Sequence, residues 1–379
     1  MKTWLLLSVV VALGATPSMR AAPSAPQSMV FPGTNWMETT PEAQGLDSAK
    51  LKAAIAHLEA HTGRDGAREL VVVRHGRMIW KGDNIDHVHG IWSCTKSFTS
   101  TVLGLLIEDG KCSLDTRAAS VLPAMRPQYP DVTLRHFTTM TAGYRAAGDE
   151  TTGAYTHGPS ATPFNPGPEP LFAPATAYAY WDSAMNQFGN ALTRLAGEPL
   201  DALFKRRIAD PIGMNPAAWK WGAFEMVDGM RVNGGSGNAG KHIQISAREL
   251  ARLGHLFLNE GKWNGRRLLS AEWIRQATSV QVPAKLTNAW PKSGIDGPGQ
   301  YGFNWWRNAP GPEGKMTWPG APADTFGASG HNNNKLYVIP SWRMVIVRLG
   351  LDQADRKWSD EAQGEFLRLV GEARNSQTH

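Results

Sequence analysis

Ser93 and Lys96 stand three residues apart in "IWSCTKSFTS" (91–100), at the head of a run with helical spacing. On a helix, positions i and i+3 share a face, so the lysine amine can reach the serine hydroxyl. A helix start also turns backbone N–H groups outward and favours negative charge. That arrangement suits a serine nucleophile and the oxyanion it creates at a carbonyl. A lysine serving as base must be neutral, which costs a free lysine side chain about 4.6 kcal/mol at pH 7 from its ordinary pKa near 10.4. The plainer alternative is an N-cap serine beside a surface lysine.

A second group lies in "TAYAYWDSAMNQFGNALTRLAG" (176–197). Tyr180 can serve as a phenolic base if a nearby ammonium lowers its pKa, and Lys96 and Tyr180 would then titrate as a pair. Otherwise Tyr178, Tyr180 and Trp181 are core aromatics. A third is "FGASGHNNNKLYVIP" (326–340), where a glycine-containing turn leads into a buried strand and lets a ligand approach the backbone. The N–H after Gly330, that of His331, can face an oxyanion together with the N–H of Ser93. A hairpin turn with left-handed asparagines is the alternative.

The order Ser-x-x-Lys, Tyr-x-Asn/Asp, then Ser/Thr-Gly before a strand resembles the penicillin-recognising serine hydrolases. The similarity is greatest to the class C beta-lactamase-related branch, with its esterases, D-amino-acid peptidases and 6-aminohexanoate-dimer hydrolases. "IWSCTKSFTSTVLGLLIEDGKCSLD", "TLRHFTTMTAGY", "ISARELARLGHLFLNEGKWNGRRLLSAEW", "YGFNWW" and "LYVIPSWRMVIVRLG" extend the resemblance over roughly 45–375. It implies Ser93 as the acylated nucleophile, Lys96 and Tyr180 as the acid/base pair with Lys96 lowering the tyrosine pKa, and the N–H groups of Ser93 and His331 as the oxyanion hole. Asp182, Ser329 and Gly330 are the implied substrate-binding positions.

Two positions depart from the family pattern. Asp182 replaces an asparagine; it cannot donate an amide hydrogen bond but can pair with Lys96. Ala328 replaces a lysine or histidine, removing a fixed cation for the carboxylate of a beta-lactam or peptide C-terminus, although His331 or Lys335 can compensate. The expected function is cleavage of an ester or neutral amide, with beta-lactamase or D-amino-acid peptidase activity as the alternative. A non-catalytic ligand-binding or scaffold member is the alternative of another class.

The elements that must position these groups follow from pattern. "GLDSAKLKAAIAHLEAH" (45–61) reads as a helix capped by Asp47 or Ser48. "ELVVVRHGRMIWKGD" (69–83) reads as two strands about a tight turn at His75-Gly76. The segment 93–109 reads as one helix. Helices separated by Pro/Gly-rich loops fill the middle, and "KLYVIP" and "RMVIVRLG" are strands before a closing helix. The expected fold class is α/β (α+β): an antiparallel sheet flanked by helices, built from both chain ends, with an inserted, mainly helical part and a beta-lactamase/transpeptidase-like architecture. The expected division is 1–22 signal peptide, 23–40 linker, 41–110 and 235–379 α/β domain, and 111–234 mainly helical domain.

The 379 residues are 42% hydrophobic and 19% charged, with a formal net charge of +6. The basic residues are dispersed, which argues against a nucleic-acid surface. Lys2, an apolar run from Trp4 to Leu13 and small residues after it have the layout of a secretory leader, too short for a membrane span. The expectation is an exported protein, periplasmic or secreted, acting on a small molecule, without a stable membrane span. Nothing in the sequence addresses oligomeric state. Cys94 and Cys112, on one helix, would lie roughly 25 Å apart, whereas a disulfide needs about 7 Å; two thiols are expected, with Cys94 in the core. Gly327–His331 and Gly234–Asn238 each miss the last glycine of a nucleophile elbow. His87 and His89 in "DHVHG" lack further ligands nearby in sequence and read as structural or surface groups. No metal or cofactor is expected. Trp305 and Trp306 read as pocket or core wall.

Overall fold

The computed structural model describes residues 1, 28–149, 162–237, 240–352 and 358–374. The leader-like segment falls outside these residues from position 2 to 27.

The first third begins with strand β1 (Met37–Glu38) and helix α1 (Ser48–His61), followed by β2 (Glu69–Arg74), β3 (Arg77–Lys81), β4 (His89–Gly90) and α2 (Thr95–Glu108). The middle holds α3 (Ala118–Val121), α4 (Leu134–Thr138), α5 (Asp182–Ala196), α6 (Leu200–Phe204), and strands β5 (Trp219–Trp221), β6 (Ala223–Val227) and β7 (Met230–Asn233). Next come β8 (Ile243–Ile245), α7 (Ala247–Leu258), β9 (Lys262–Trp263), β10 (Arg266–Arg267) and α8 (Ala271–Ala277). The last part holds β11 (Trp306–Arg307), β12 (Phe326–Gly330), β13 (Asn334–Ile339), β14 (Met344–Leu349) and α9 (Asp360–Ala373).

The main sheet runs β1-β3-β2-β14-β13-β12-β11, so the strands from the two ends of the chain form one sheet, joined where β2 pairs with β14. Every pairing is antiparallel except β1 with β3. The sheet is thus antiparallel as expected, with one parallel pairing at its edge, where β1 runs in the same direction as β3. The β2–β3 turn is at His75-Gly76, both with positive φ (49° and 78°), the hairpin geometry that matches strand twist.

Strand alternation divides the core. Val71, Val73, Leu336, Val338, Val345 and Val347 belong to one buried cluster. Leu70, Val72, Tyr337, Ile339, Met344 and Ile346 belong to the other. The second cluster takes Leu51, Ile55 and Leu58 of α1 and Phe366, Leu367 and Val370 of α9. On the first face α7 comes close through Gly254, where a Cβ would lie 2.6 Å from Val345 and 2.7 Å from Leu336. Asp47 caps α1, accepting from the N–H groups of Ala49 and Lys50 at 2.8 and 3.0 Å. Cys94 and Cys112 are free thiols.

Candidate active site

The run expected as one helix over 93–109 divides in two. A 3-10 turn over Trp92–Cys94 carries Ser93, and α2 begins only at Thr95. The cause lies one residue upstream: Trp92 sits in the left-handed region (φ 44°), which breaks the helical path and costs backbone energy of order 1–3 kcal/mol. Its ring is held by stacking on His242, with centroids 5.2 Å apart, and by an edge contact with His331 at 5.5 Å. Ser93 therefore sits on a constrained corner rather than within the helix. Lys96, on the first turn of α2, is buried and donates from Nζ to Ser93 Oγ at 2.9 Å.

The same ammonium donates to Asp182 Oδ1 at 2.6 Å, and both side chains are at most 3% exposed. Asp182 opens α5, where a carboxylate is favoured by the helix dipole, whereas a cation at the start of α2 is not. The ion pair thus joins two helix N-termini, and the one carboxylate answers the positive end of α5 and the ammonium placed unfavourably at the start of α2. Asp182 Oδ1 also accepts from Ser236 Oγ. The segment before α5 is fixed by buried Asp149, which accepts from Trp181 Nε1 at 2.9 Å, from the Ala146 N–H at 2.8 Å and from Ser183 Oγ.

Tyr180 lies over Lys96, with Nζ 4.3 Å from its ring centroid, and its hydroxyl is hydrogen-bonded to Ser93. Burial pushes the phenol well above its ordinary value, and the charge of Asp182 pushes it further, against the Ser93 hydrogen bond. The expected lowering by Lys96 is therefore not what this arrangement produces. Burial is the main reason, and the Asp182 carboxylate held against the ammonium adds to it. Burial pushes the Cys94 thiol up to about 12, which leaves it protonated and inert beside the serine.

A cleft of about 510 Å³ opens on these groups, lined by Trp92, Ser93, Tyr180, Asp182, Gly237, Ile295, Trp306, Ser329, Gly330 and His331. All the sequence-derived site residues except Lys96 line it, and Lys96 lies behind the wall, bonded to Ser93 and Asp182. Gly330 closes the far side. A Cβ there would sit 2.1 Å from the carbonyl oxygen of Ile91 and 3.3 Å from the Cys94 nitrogen, so only glycine lets β12 lie against the Ser93 turn. Asn332 and Asn333 are left-handed (φ 61° and 63°), so the hairpin turn and the site wall are the same piece of chain.

The two departures from the family pattern have structural partners. Ala328 faces the core opposite Leu336. Lys335, opposite Ser329 on the neighbouring strand, donates from Nζ to Ser329 Oγ at 2.5 Å. Burial lowers the Lys335 pKa, opposed by Asp360.

Ser236 and Gly237 are the site residues the sequence did not reveal. Their glycine-rich run stood out in the sequence only as an incomplete nucleophile elbow, and it becomes part of the site because Gly237 packs on the Ser93 amide: a Cβ at 237 would lie 2.7 Å from that nitrogen. Trp306 lines the cleft and stacks with Tyr180 at 6.4 Å, while Trp305 is buried in the core.

Residues 51–355 match the family described as Beta-lactamase, and the chain belongs to that family. Its fold is that of the family's serine hydrolases. A beta-lactamase from Pseudomonas fluorescens is 27% identical over 133 residues, 33% of this chain and 34% of that protein. Among solved structures, a Bacteroides dorei protein named provisionally as a beta-lactamase superposes with TM-score 0.64 at 18% identity, covering 88% of this chain and 100% of its own. A family VIII carboxylesterase gives 0.61 at 18% identity, over 87% and 98%. At such identities the structural likeness speaks for the fold alone.

Proposed function

We propose that the chain is an exported serine hydrolase that cleaves an ester or amide bond through an acyl group carried on Ser93, with Lys96 and Tyr180 as its acid/base pair. The observation that carries this reading is the convergence on Ser93 Oγ of the Lys96 ammonium, at 2.9 Å, and the Tyr180 hydroxyl, at the floor of the cleft.

Ser93 Oγ attacks the substrate carbonyl carbon, forming the Oγ–C bond, and the carbonyl π electrons move to its oxygen. The Ser93 proton passes to Tyr180 Oη as the protonated phenol gives its own proton to the leaving atom, so the tyrosine acts as a relay. The C–leaving-group bond then breaks. Lys96 stabilises negative charge on both oxygens. In deacylation water takes the leaving group's place, giving one proton to Tyr180 Oη while the phenol proton returns to Ser93. The N–H groups of Ser93 and His331 are the proposed oxyanion donors, supported by the close seat of Gly330 on the Ser93 turn. Asp182 anchors the ammonium, and Ser329 and Gly330 bind substrate at the β12 edge. Trp92, Ile295 and Trp306 give the cleft apolar wall suited to an uncharged acyl or alcohol group.

A beta-lactamase or D-amino-acid peptidase reading is favoured by one observation, the Lys335–Ser329 hydrogen bond, which supplies a cation where Ala328 has none. Export is supported by the leader-like residues 1–22. Among the described residues no helix is long and apolar enough to cross a membrane. The test is turnover of p-nitrophenyl butyrate by wild type and Ser93→Ala: the substitution reduces it to the uncatalysed rate, and retained turnover overturns the assignment.

A further inference from the structure

Away from the cleft, three side chains meet that the hydrolytic chemistry does not use. Glu69 begins β2, His89 lies in β4, and His87 precedes it by two residues. Sequence spacing showed the histidine pair but no third donor; β2 supplies it from 18 positions upstream. Glu69 Oε1 lies 2.8 Å from His87 Nδ1, and Oε2 lies 2.6 Å from His89 Nε2. The rings are 5.2 Å apart. Glu69 and His89 are buried, and the His87 side chain is 42% exposed.

His89 Nδ1 is 2.9 Å from the carbonyl oxygen of Gly90. A carbonyl only accepts, so Nδ1 carries the proton. In a neutral imidazole the Nε2 lone pair would then point at a carboxylate oxygen 2.6 Å away, which is repulsive. Something positive must lie between them: a proton shared by the ring and the carboxyl, or a metal ion. An imidazole held by a backbone carbonyl through one nitrogen, with the other aimed at a shared centre, is the arrangement of a metal-bound histidine.

We propose that Glu69, His87 and His89 bind one divalent cation of borderline softness, Zn²⁺ by the chemistry of the donors, through one carboxylate and two imidazoles. The three ligand atoms already lie within 4.8 Å of one another. Tetrahedral ligands about 2.0 Å from Zn²⁺ stand about 3.3 Å apart, so side-chain shifts of about half an ångström open the two Glu69 contacts. The exposed edge of His87 leaves a fourth position for water. A bound ion ties β2 of the main sheet to β4, four residues before Ser93, and acts as a clip behind the nucleophile turn rather than as part of the reaction.

The test is calorimetric titration of the untagged, chelator-treated protein with ZnCl₂, with Co²⁺ spectra as a second readout. Wild type takes up one equivalent, shows the intense visible bands of tetrahedral Co²⁺, and gains thermal stability with Zn²⁺. His87→Ala removes a half-exposed ligand without touching the core, and Glu69→Gln removes the carboxylate charge; each weakens binding by at least about ten-fold, and His87→Ala loses the thermal gain. Absence of stoichiometric binding by wild type overturns the proposal. So does equal affinity in folded His87→Ala, which places the ion elsewhere.

Discussion

Lys96 Nζ lies 2.6 Å from Asp182 Oδ1, and the same nitrogen reaches Ser93 Oγ at 2.9 Å. The buried carboxylate both holds the ammonium and opposes its effect on Tyr180, whose phenol is pushed up by burial and then by Asp182. Asp182→Asn keeps an oxygen for Lys96 but removes the charge. The phenol pKa then falls, because phenolate no longer faces a neighbouring anion and meets an uncancelled ammonium. The alkaline limb of the pH profile of kcat/KM moves to lower pH. A limb that stays in place or moves up contradicts this electrostatic account.

Gly330→Ala tests whether β12 must touch the nucleophile turn. The added methyl would fall 2.1 Å from the Ile91 carbonyl oxygen, so the strand end must retreat and carry the His331 N–H with it. Loss of one oxyanion donor costs about 10²–10³ in kcat. The expected variant is folded, with kcat lowered by that order and little change in KM. A variant with wild-type kcat places the oxyanion donors elsewhere.

Lys335→Met removes the cation from Ser329 while conserving length. Substrates bearing a carboxylate should show KM raised about ten-fold, the loss of a charge-assisted contact of about 1.4 kcal/mol. Neutral p-nitrophenyl esters should be unaffected. Parallel kinetics on nitrocefin and p-nitrophenyl butyrate make the comparison, and equal effects on both would assign Lys335 a structural role only.

Much of the architecture could be read from local pattern. The alternation of Val71 and Val73 against Leu70 and Val72 marks a strand buried on both faces, and Asp47 marks the start of α1. The Ser93–Lys96 pairing was legible because residues three apart stay neighbours where a 3-10 turn runs into a helix, as they do within one helix. The short β4-β8-β5 sheet was not legible, since strands of two or three residues carry no periodicity. Nor was the 3-10 corner at Ser93, which depends on Trp92 being held left-handed by His242 and His331, far along the chain. Ser236 and Glu69 escaped for the same reason: each joins its cluster by long-range packing that no local pattern encodes.

The most direct measurement is intact-mass spectrometry of wild type and Ser93→Ala after rapid quenching with p-nitrophenyl butyrate and after incubation with a fluorophosphonate, followed by peptide mapping. The account predicts one butyryl or phosphonyl adduct, located on Ser93 in wild type and missing from the variant. An adduct on another residue, or none with either reagent in folded wild-type protein, would contradict the acyl-enzyme and turn the interpretation toward a fold kept for binding alone.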